Sequence, residues 1–249
     1  MADAAQGMAG VTRLPGVTYS VLTPNAKGLE GALAARADEV LVFAAASEAF
    51  SQRNLNCSID ESLARFEPVV QGAKAAGLRV RGAISCAVGC PYQGDVSPDE
   101  VERVVKAYRA LGVDQVSMAD TIGVGTPRQV QAALERVLRH YPLHEVCGHY
   151  HDTYGQALAN VLASLQMGVR VFDTSVAGLG GCPFAVGATG NVATEDVAYL
   201  LRGMDIDTGV DFDALVDAGQ FISEKLGRAN GSRAARGWLA QRARRQAQA

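Results

Sequence analysis

Short runs of apolar residues alternate with longer stretches of helical periodicity along most of this chain, and this alternation limits the folds that it can adopt. Six strand candidates recur in this way, at residues 18–23, 39–44, 79–85, 115–119, 145–151 and 169–176. Their central residues are mostly apolar, as in strands that are covered on both faces. Strands separated by helices form parallel sheets through right-handed crossovers. The sequence therefore predicts an α/β fold of about six βα units.

The helices between these strands have recognisable starts and ends. Residues that favour helix N-caps or first turns mark the starts, namely Ser58, Ser97, Pro98, Pro127 and Thr194. Glycines follow three of the apolar-periodic stretches, where a left-handed C-terminal residue is wanted: Gly77, Gly112 and Gly168. These signals predict compact helices that each place one apolar face on the sheet.

A regular βα series with a glycine-rich segment after the last strand favours a TIM (β/α)8-type barrel, whose catalytic groups project from the carboxyl ends of the strands. About six units are two fewer than a full barrel has. The alternative is an open doubly wound sheet, but no Gly-x-Gly-x-x-Gly motif follows the first strand candidate. We expect a partial barrel domain over residues 1–227 and a basic, polar, loosely held tail over residues 228–249.

Composition bears mainly on partners and compartment. A net charge of −3 does not favour a nucleic-acid or anionic-membrane partner, and no apolar run approaches the roughly 20 residues that span a bilayer. The first ten residues do not have the pattern of a signal peptide. The five scattered cysteines indicate reduced thiols. We therefore expect a cytoplasmic protein that acts on a small soluble substrate.

Two histidines at the end of the fifth strand candidate are the strongest chemical signal. His149 and His151 are two residues apart, so on a strand their side chains share a face and can meet one ion. The alternative is two unrelated polar residues at a strand end. Capping or solvated roles are expected for His140 and His144 near a helix end. Two imidazoles with oxygen donors suit Mg²⁺ or Mn²⁺, with Zn²⁺ as an alternative.

Three further residues could carry chemistry, each with a structural alternative. Cys182, at the tip of a glycine-rich loop, could transfer a proton or be incidental. Asn191 could supply a neutral oxygen ligand or merely occupy a turn. Asp120, at a strand end, could orient substrate, accept a proton or cap the next loop. A metal site of this kind usually adds a carboxylate, and no acidic residue in these motifs obviously fills that place.

Taken together, these motifs closely resemble the hydroxymethylglutaryl-CoA lyase family of metal-dependent, aldolase-like TIM barrels. The resemblance covers nearly the whole chain to about Arg228. It rests on VLTPN at 21–25, NLNCSIDES at 54–62, SCAVGCPYQG at 85–94, ADTIGVGTP at 119–127, HYHDTYGQALAN at 149–160 and SVAGLGGCPF at 175–184. The last motif has Phe184 where its commonest form has tyrosine. The related isopropylmalate and homocitrate synthases do not carry this cysteine loop.

The resemblance implies a retro-Claisen-type cleavage of hydroxymethylglutaryl-CoA to acetyl-CoA and acetoacetate, a reaction of leucine degradation and ketone-body formation. It implies a divalent metal, Mg²⁺ or Mn²⁺, an acyl-CoA substrate and a homodimer. By this resemblance the metal ligands are His149, His151 and Asn191, the catalytic residues are Cys182, Asp120 and Glu195, and Asn54 and Ser58 lie near the CoA nucleotide.

One departure from the family concerns the start of the sequence. The family begins with a strand carrying Arg-Asp-Gly, followed by a strand that supplies a glutamate, and neither is present here. The expectation is an N-terminally truncated barrel with weaker metal binding and slower chemistry, since one electrostatic donor is worth on the order of 3 kcal/mol in other enzymes. The alternative is an inactive fragment or binding remnant that keeps part of the metal and CoA pocket.

Overall fold

The computed structural model of this protein describes residues 4–181 and 190–248. The chain divides into two compact units. The first comprises Met1–Ala119 and Ala132–Cys147, and the second comprises Asp120–Gln131 and Gly148–Ala249.

The strands follow the predicted alternation. Six strands lie in one sheet in sequence order, namely β1 (Ser20–Leu22), β2 (Glu39–Ala45), β3 (Arg79–Ser85), β4 (Gln115–Asp120), β5 (Val146–Tyr150) and β6 (Val171–Asp173). The first three strand pairs are parallel, with Glu39 opposite Arg79 and Arg81 opposite Gln115. The predicted α/β fold with six strands is confirmed, although β1 and β6 are shorter than their apolar runs.

Ten α-helices connect and follow these strands in the described residues: α1 (Ala4–Gly10), α2 (Ala26–Ala34), α3 (Glu48–Leu55), α4 (Ile59–Ala75), α5 (Pro98–Leu111), α6 (Pro127–Val137), α7 (Ala157–Gln166), α8 (Thr194–Gly203), α9 (Phe212–Lys225) and α10 (Arg233–Gln246). Short 3₁₀ turns occupy Leu143–Glu145 and Val176–Gly178. No described helix has both the length and the hydropathy needed to cross a bilayer.

Several helix ends follow local chemistry, and the start of α8 departs from the prediction. Ser58 and Ser97 each form a capping box with the glutamate three residues later, and Gly112 ends α5 in the left-handed conformation. Thr194 is not the N-cap of α8, because Ala193 precedes it in that position. The hydroxyl of Thr194 instead pairs with that of Thr174 at 2.8 Å, so a partner distant in sequence takes it away from the helix backbone.

A tyrosine from α5 ties two strands of the first unit together. Tyr108 is fully buried; its hydroxyl accepts from the backbone nitrogen of Ala44 at 2.6 Å and donates to the carbonyl of Ala83 at 2.8 Å. Its ring fits against Gly82, where a Cβ would come within 2.5 Å of the ring. Glycine at position 82 therefore lets α5 approach the sheet closely.

The basic C-terminal segment differs from the expected loose tail. It forms α10, whose Ala235 is buried and whose Trp238 packs edge-on against Phe212 of α9 at 5.1 Å between ring centroids. The Trp238 indole donates to Asp213 at 2.7 Å, and Arg242 bridges Asp213 at 3.3 Å. Apolar positions at helical spacing and the ion-paired Arg242 thus hold a segment whose composition suggested a loose tail.

Candidate active site

The histidine pair lies where β5 ends in the second unit. The ring centroids of His149 and His151 are 5.5 Å apart, and His151 is only 5% exposed. A bond from an imidazole nitrogen to a transition metal adds about 2 Å to the reach of each ring. This separation is compatible with both rings meeting one ion, and their role as metal ligands stays a prediction.

Asn191 is joined to this pair through the backbone. His151 and Asn191 form an isolated antiparallel bridge, and the backbone nitrogen of Val192 donates to the carbonyl of Tyr150 at 2.9 Å. The Asn191 side-chain nitrogen Nδ2 donates to the carbonyl of Leu179 at 3.0 Å. Its oxygen Oδ1 is buried and has no hydrogen-bond partner within residues 4–181 and 190–248.

The buried oxygen of Asn191 is the observation that fits a cation. Leaving a buried acceptor without a partner costs about 1–3 kcal/mol, and a bound ion would remove that cost. Two imidazoles and an amide oxygen make a donor set that Mg²⁺ or Mn²⁺ accepts. No three His, Cys, Asp or Glu side chains form a metal-binding group in the described part of the chain.

Asp173 is a functional candidate that the sequence reasoning missed. It ends β6, and its Oδ2 lies 3.2 Å from Nδ1 of His149. A carboxylate that accepts the Nδ1 proton fixes the tautomer that leaves Nε2 free to bind a metal. The sequence signal for Asp173 was its position as an acidic residue at the carboxyl end of an apolar strand. Its partner, His149, lies 24 residues away in the sequence, so spacing alone does not connect the two.

Asp120 lies at the end of β4, beside the histidines. Its buried carboxylate accepts from the backbone nitrogens of Val124 at 3.1 Å and Gly125 at 2.8 Å. Burial raises the pKa of Asp120, while these hydrogen bonds and the charge of His149 oppose the rise. The carboxylate caps the following loop, which was its structural alternative. A catalytic role for Asp120 stays a prediction.

Glu195 lies in the first turn of α8 and is completely buried. Both of its carboxylate oxygens accept from the backbone nitrogen of Ala177, at 3.0 and 2.9 Å. Burial raises the pKa of Glu195. The Glu195 carboxylate is thus hydrogen-bonded to the backbone of the turn Val176–Gly178.

The remaining predicted residues are elsewhere. Asn54 in α3 and Ser58 at the start of α4 belong to the first unit, where the Ser58 hydroxyl accepts from the nitrogen of Glu61 at 3.1 Å. Cys182 lies outside the described residues. The roles of all three stay predictions. The other cysteines are buried and form no disulfide within the described residues, namely Cys57, Cys86, Cys90 and Cys147.

A cavity of about 390 Å³ opens beside Asn191 in the second unit. Three arginines contribute to its lining, Arg228, Arg233 and Arg236, together with Asp152 and Asp196. Both aspartates are engaged: Asp152 caps α7 through the nitrogen of Ala157, and Asp196 accepts from Ser232 and Ala234. The guanidinium groups give this cavity a preference for anionic ligands.

Comparison with known proteins identifies close relatives. The family model described as HMGL-like matches residues 4–222. A Pseudomonas aeruginosa protein named 3-hydroxy-3-isohexenylglutaryl-CoA/hydroxy-methylglutaryl-CoA lyase is 58% identical over 96% of this chain and 80% of its own length. A crystal structure of hydroxymethylglutaryl-CoA lyase from Pseudomonas aeruginosa has a TM-score of 0.93 and covers 97% of this chain and 80% of that one.

A more distant solved structure is informative about ligands. It is an HMG-CoA lyase from Acinetobacter baumannii in complex with coenzyme A and 3-methylmalate, 34% identical with a TM-score of 0.89. The match covers 94% of this chain and 76% of that one.

Proposed function

Because this chain belongs to the HMGL-like family, we propose that it is a carbon–carbon lyase that cleaves hydroxymethylglutaryl-CoA to acetyl-CoA and acetoacetate. The chain is more than half identical to a protein named for this activity. The structural observation that carries the proposal is the buried, unpartnered oxygen of Asn191 next to the His149–His151 pair. It supports a cation site where the family reaction needs one.

In this proposal His149, His151 and Asn191 hold Mg²⁺ or Mn²⁺. When bound, the ion acts as a Lewis acid on the substrate oxygens and as a template for the substrate. Asp173 orients His149 through the 3.2 Å contact to Nδ1. A distance of 5.5 Å between the imidazole rings supports joint binding by the two histidines.

The cleavage requires two proton movements, and the chain has candidates for both. A proton leaves the tertiary hydroxyl of the substrate, and a proton is returned to the enolate of acetyl-CoA. Asp120, whose pKa is raised by burial, takes up the hydroxyl proton or orients the hydroxyl. Cys182 takes part in proton transfer near the departing enolate. Asn54 and Ser58 lie near the CoA nucleotide.

We further propose that the βα units adopt the TIM-barrel type of arrangement. The protein acts as a cytoplasmic homodimer in leucine degradation. The likeness to solved lyase structures supports the barrel type. The arginines of the cavity beside Asn191 favour the negative charge that an acyl-CoA substrate carries.

Replacement of Cys182 by alanine tests the proton-transfer role. Loss of one positioned acid or base lowers turnover by about 10²- to 10⁴-fold, and we expect acetoacetate formation to fall by that amount. Mn²⁺ affinity, measured by titration calorimetry, should stay as in the wild type because the thiol is not a proposed ligand. Cys57→Ala is the control, since this buried thiol belongs to the first unit. Normal turnover of Cys182→Ala would remove Cys182 from the mechanism.

A further inference from the structure

The turn Val176–Gly178 is held in a conformation that its sequence does not favour. Ala177 has φ 56°, in the left-handed region that a Cβ disfavours. Its nitrogen donates to both oxygens of Glu195, and its carbonyl accepts from Gly231 at 3.1 Å. The buried Glu195 carboxylate thus holds the backbone nitrogen of Ala177, and the Gly231 amide holds its carbonyl.

The same turn is linked to Asn191 by short-range contacts. Ser175 donates to the carbonyl of Val192 at 3.1 Å and accepts from Thr194 at 2.9 Å. Leu179, which follows the turn, accepts from Nδ2 of Asn191 at 3.0 Å. Movement of the turn would therefore move the Leu179 carbonyl, and with it the Asn191 amide.

We propose that Glu195 is a positioning residue: by clamping Ala177 it fixes the Leu179 carbonyl, which holds Nδ2 of Asn191 and so aims Oδ1 at the cation. The inference deepens the proposed function and rests on it for the identity of the metal ligand. Glu195 is completely buried, and both of its oxygens already accept from Ala177. These contacts suit a structural clamp better than a group that exchanges protons with substrate.

A substitution at Gly219 of α9 can displace the Glu195 carboxylate without changing Glu195 itself. A Cβ at this position would lie 2.2 Å from Oε1 of Glu195 and 3.4 Å from its Cδ. Gly219→Ala must therefore displace the Glu195 carboxylate, although the new methyl group has none of the proposed ligands among its nearest atoms. Gly237 of α10 is the matched control, because a Cβ there meets nothing within 4 Å.

The test combines four variants with three measurements on the full chain. Mn²⁺ affinity, hydrogen exchange of the Ala177 amide, and the kcat and pH profile of cleavage are compared for Glu195→Ala, Glu195→Gln, Gly219→Ala and Gly237→Ala. Residues that orient a metal ligand typically contribute 10- to 100-fold to affinity. We expect Glu195→Ala and Gly219→Ala to lose Mn²⁺ affinity in that range and to exchange the Ala177 amide faster.

Glu195→Gln distinguishes the clamp from an acid or base. Its amide oxygen can still accept from Ala177, so this variant should keep most of the Mn²⁺ affinity, most of kcat and the wild-type pH profile. Gly237→Ala should match the wild type. Loss of activity in Glu195→Gln as complete as in Glu195→Ala, with unchanged Mn²⁺ affinity, would overturn the proposal. So would wild-type behaviour of Gly219→Ala.

Failure of the clamp and failure of the proposed lyase are separable. A wild-type chain without lyase activity would reject the proposed function, while the exchange rate of the Ala177 amide would still report on the clamp. If Glu195→Ala leaves both that rate and Mn²⁺ affinity unchanged, the clamp is rejected whatever the lyase activity. Circular dichroism checks folding, and Gly219→Ala, which keeps Glu195 but displaces its carboxylate, keeps the test decisive if Glu195→Ala does not fold.

Discussion

At the scale of single residues, His149 has an acidic neighbour, Asp173, that is not among the proposed metal ligands. An imidazole can bind a metal through either nitrogen, and the hydrogen bond on the other nitrogen decides which one is free. Asp173 makes that bond at 3.2 Å. The neighbouring His151 is held through its backbone, whose nitrogen donates to the carbonyl of Asp120 at 3.3 Å.

Asp173→Asn is expected to weaken metal binding without removing a ligand. The amide of asparagine is a poorer acceptor than the carboxylate and can present a donor to Nδ1, so the tautomer of His149 is no longer enforced. We predict a 10- to 100-fold loss of Mn²⁺ affinity by titration calorimetry. The control is Asp205→Asn, at an exposed position whose φ of 56° asparagine tolerates. Equal Mn²⁺ affinity in the Asp173 variant and the wild type would refute this role.

At the scale of elements, the side chain of Tyr108 in α5 connects β2 to β3. Tyr108→Phe removes the hydroxyl that satisfies the nitrogen of Ala44 and the carbonyl of Ala83. Because both groups are left inside the protein, we predict a loss of about 1–3 kcal/mol in the free energy of unfolding. Chemical denaturation measures it. Tyr154→Phe, at a site that is 68% exposed, should change stability little; equal effects of the two variants would contradict the buried bridge.

Elements were predictable from sequence where their signals are local. The capping boxes at Ser58 and Ser97 involve residues three apart, and the strands follow from runs of apolar side chains. The N-cap of α8 was predicted at Thr194 but lies at Ala193, and the Thr194 hydroxyl pairs with Thr174, 20 residues away. The α10 helix was also missed, since its arginine-rich composition conceals apolar contacts to α9.

At the scale of the whole molecule, the site could be predicted in part. Spacing alone placed His149 and His151 on one face, and the motif resemblance added Asn191. The links from Asp173 to His149 and from Glu195 to Ala177 span 24 and 18 residues, and periodicity carries no information about such contacts. The position of Cys182 lies outside the described residues, so its role rests on the motif alone.

Metal-dependent formation of acetoacetate tests the central claim most directly. The chain is stripped with a chelator, given hydroxymethylglutaryl-CoA, and assayed before and after addition of Mg²⁺ or Mn²⁺. We predict no acetoacetate from the stripped protein and formation once either ion is restored. His149→Ala should abolish the restored activity, whereas His144→Ala, whose side chain is 80% exposed, should retain it. Acetoacetate formation that survives chelation, or none from the wild type with either ion, would contradict the account.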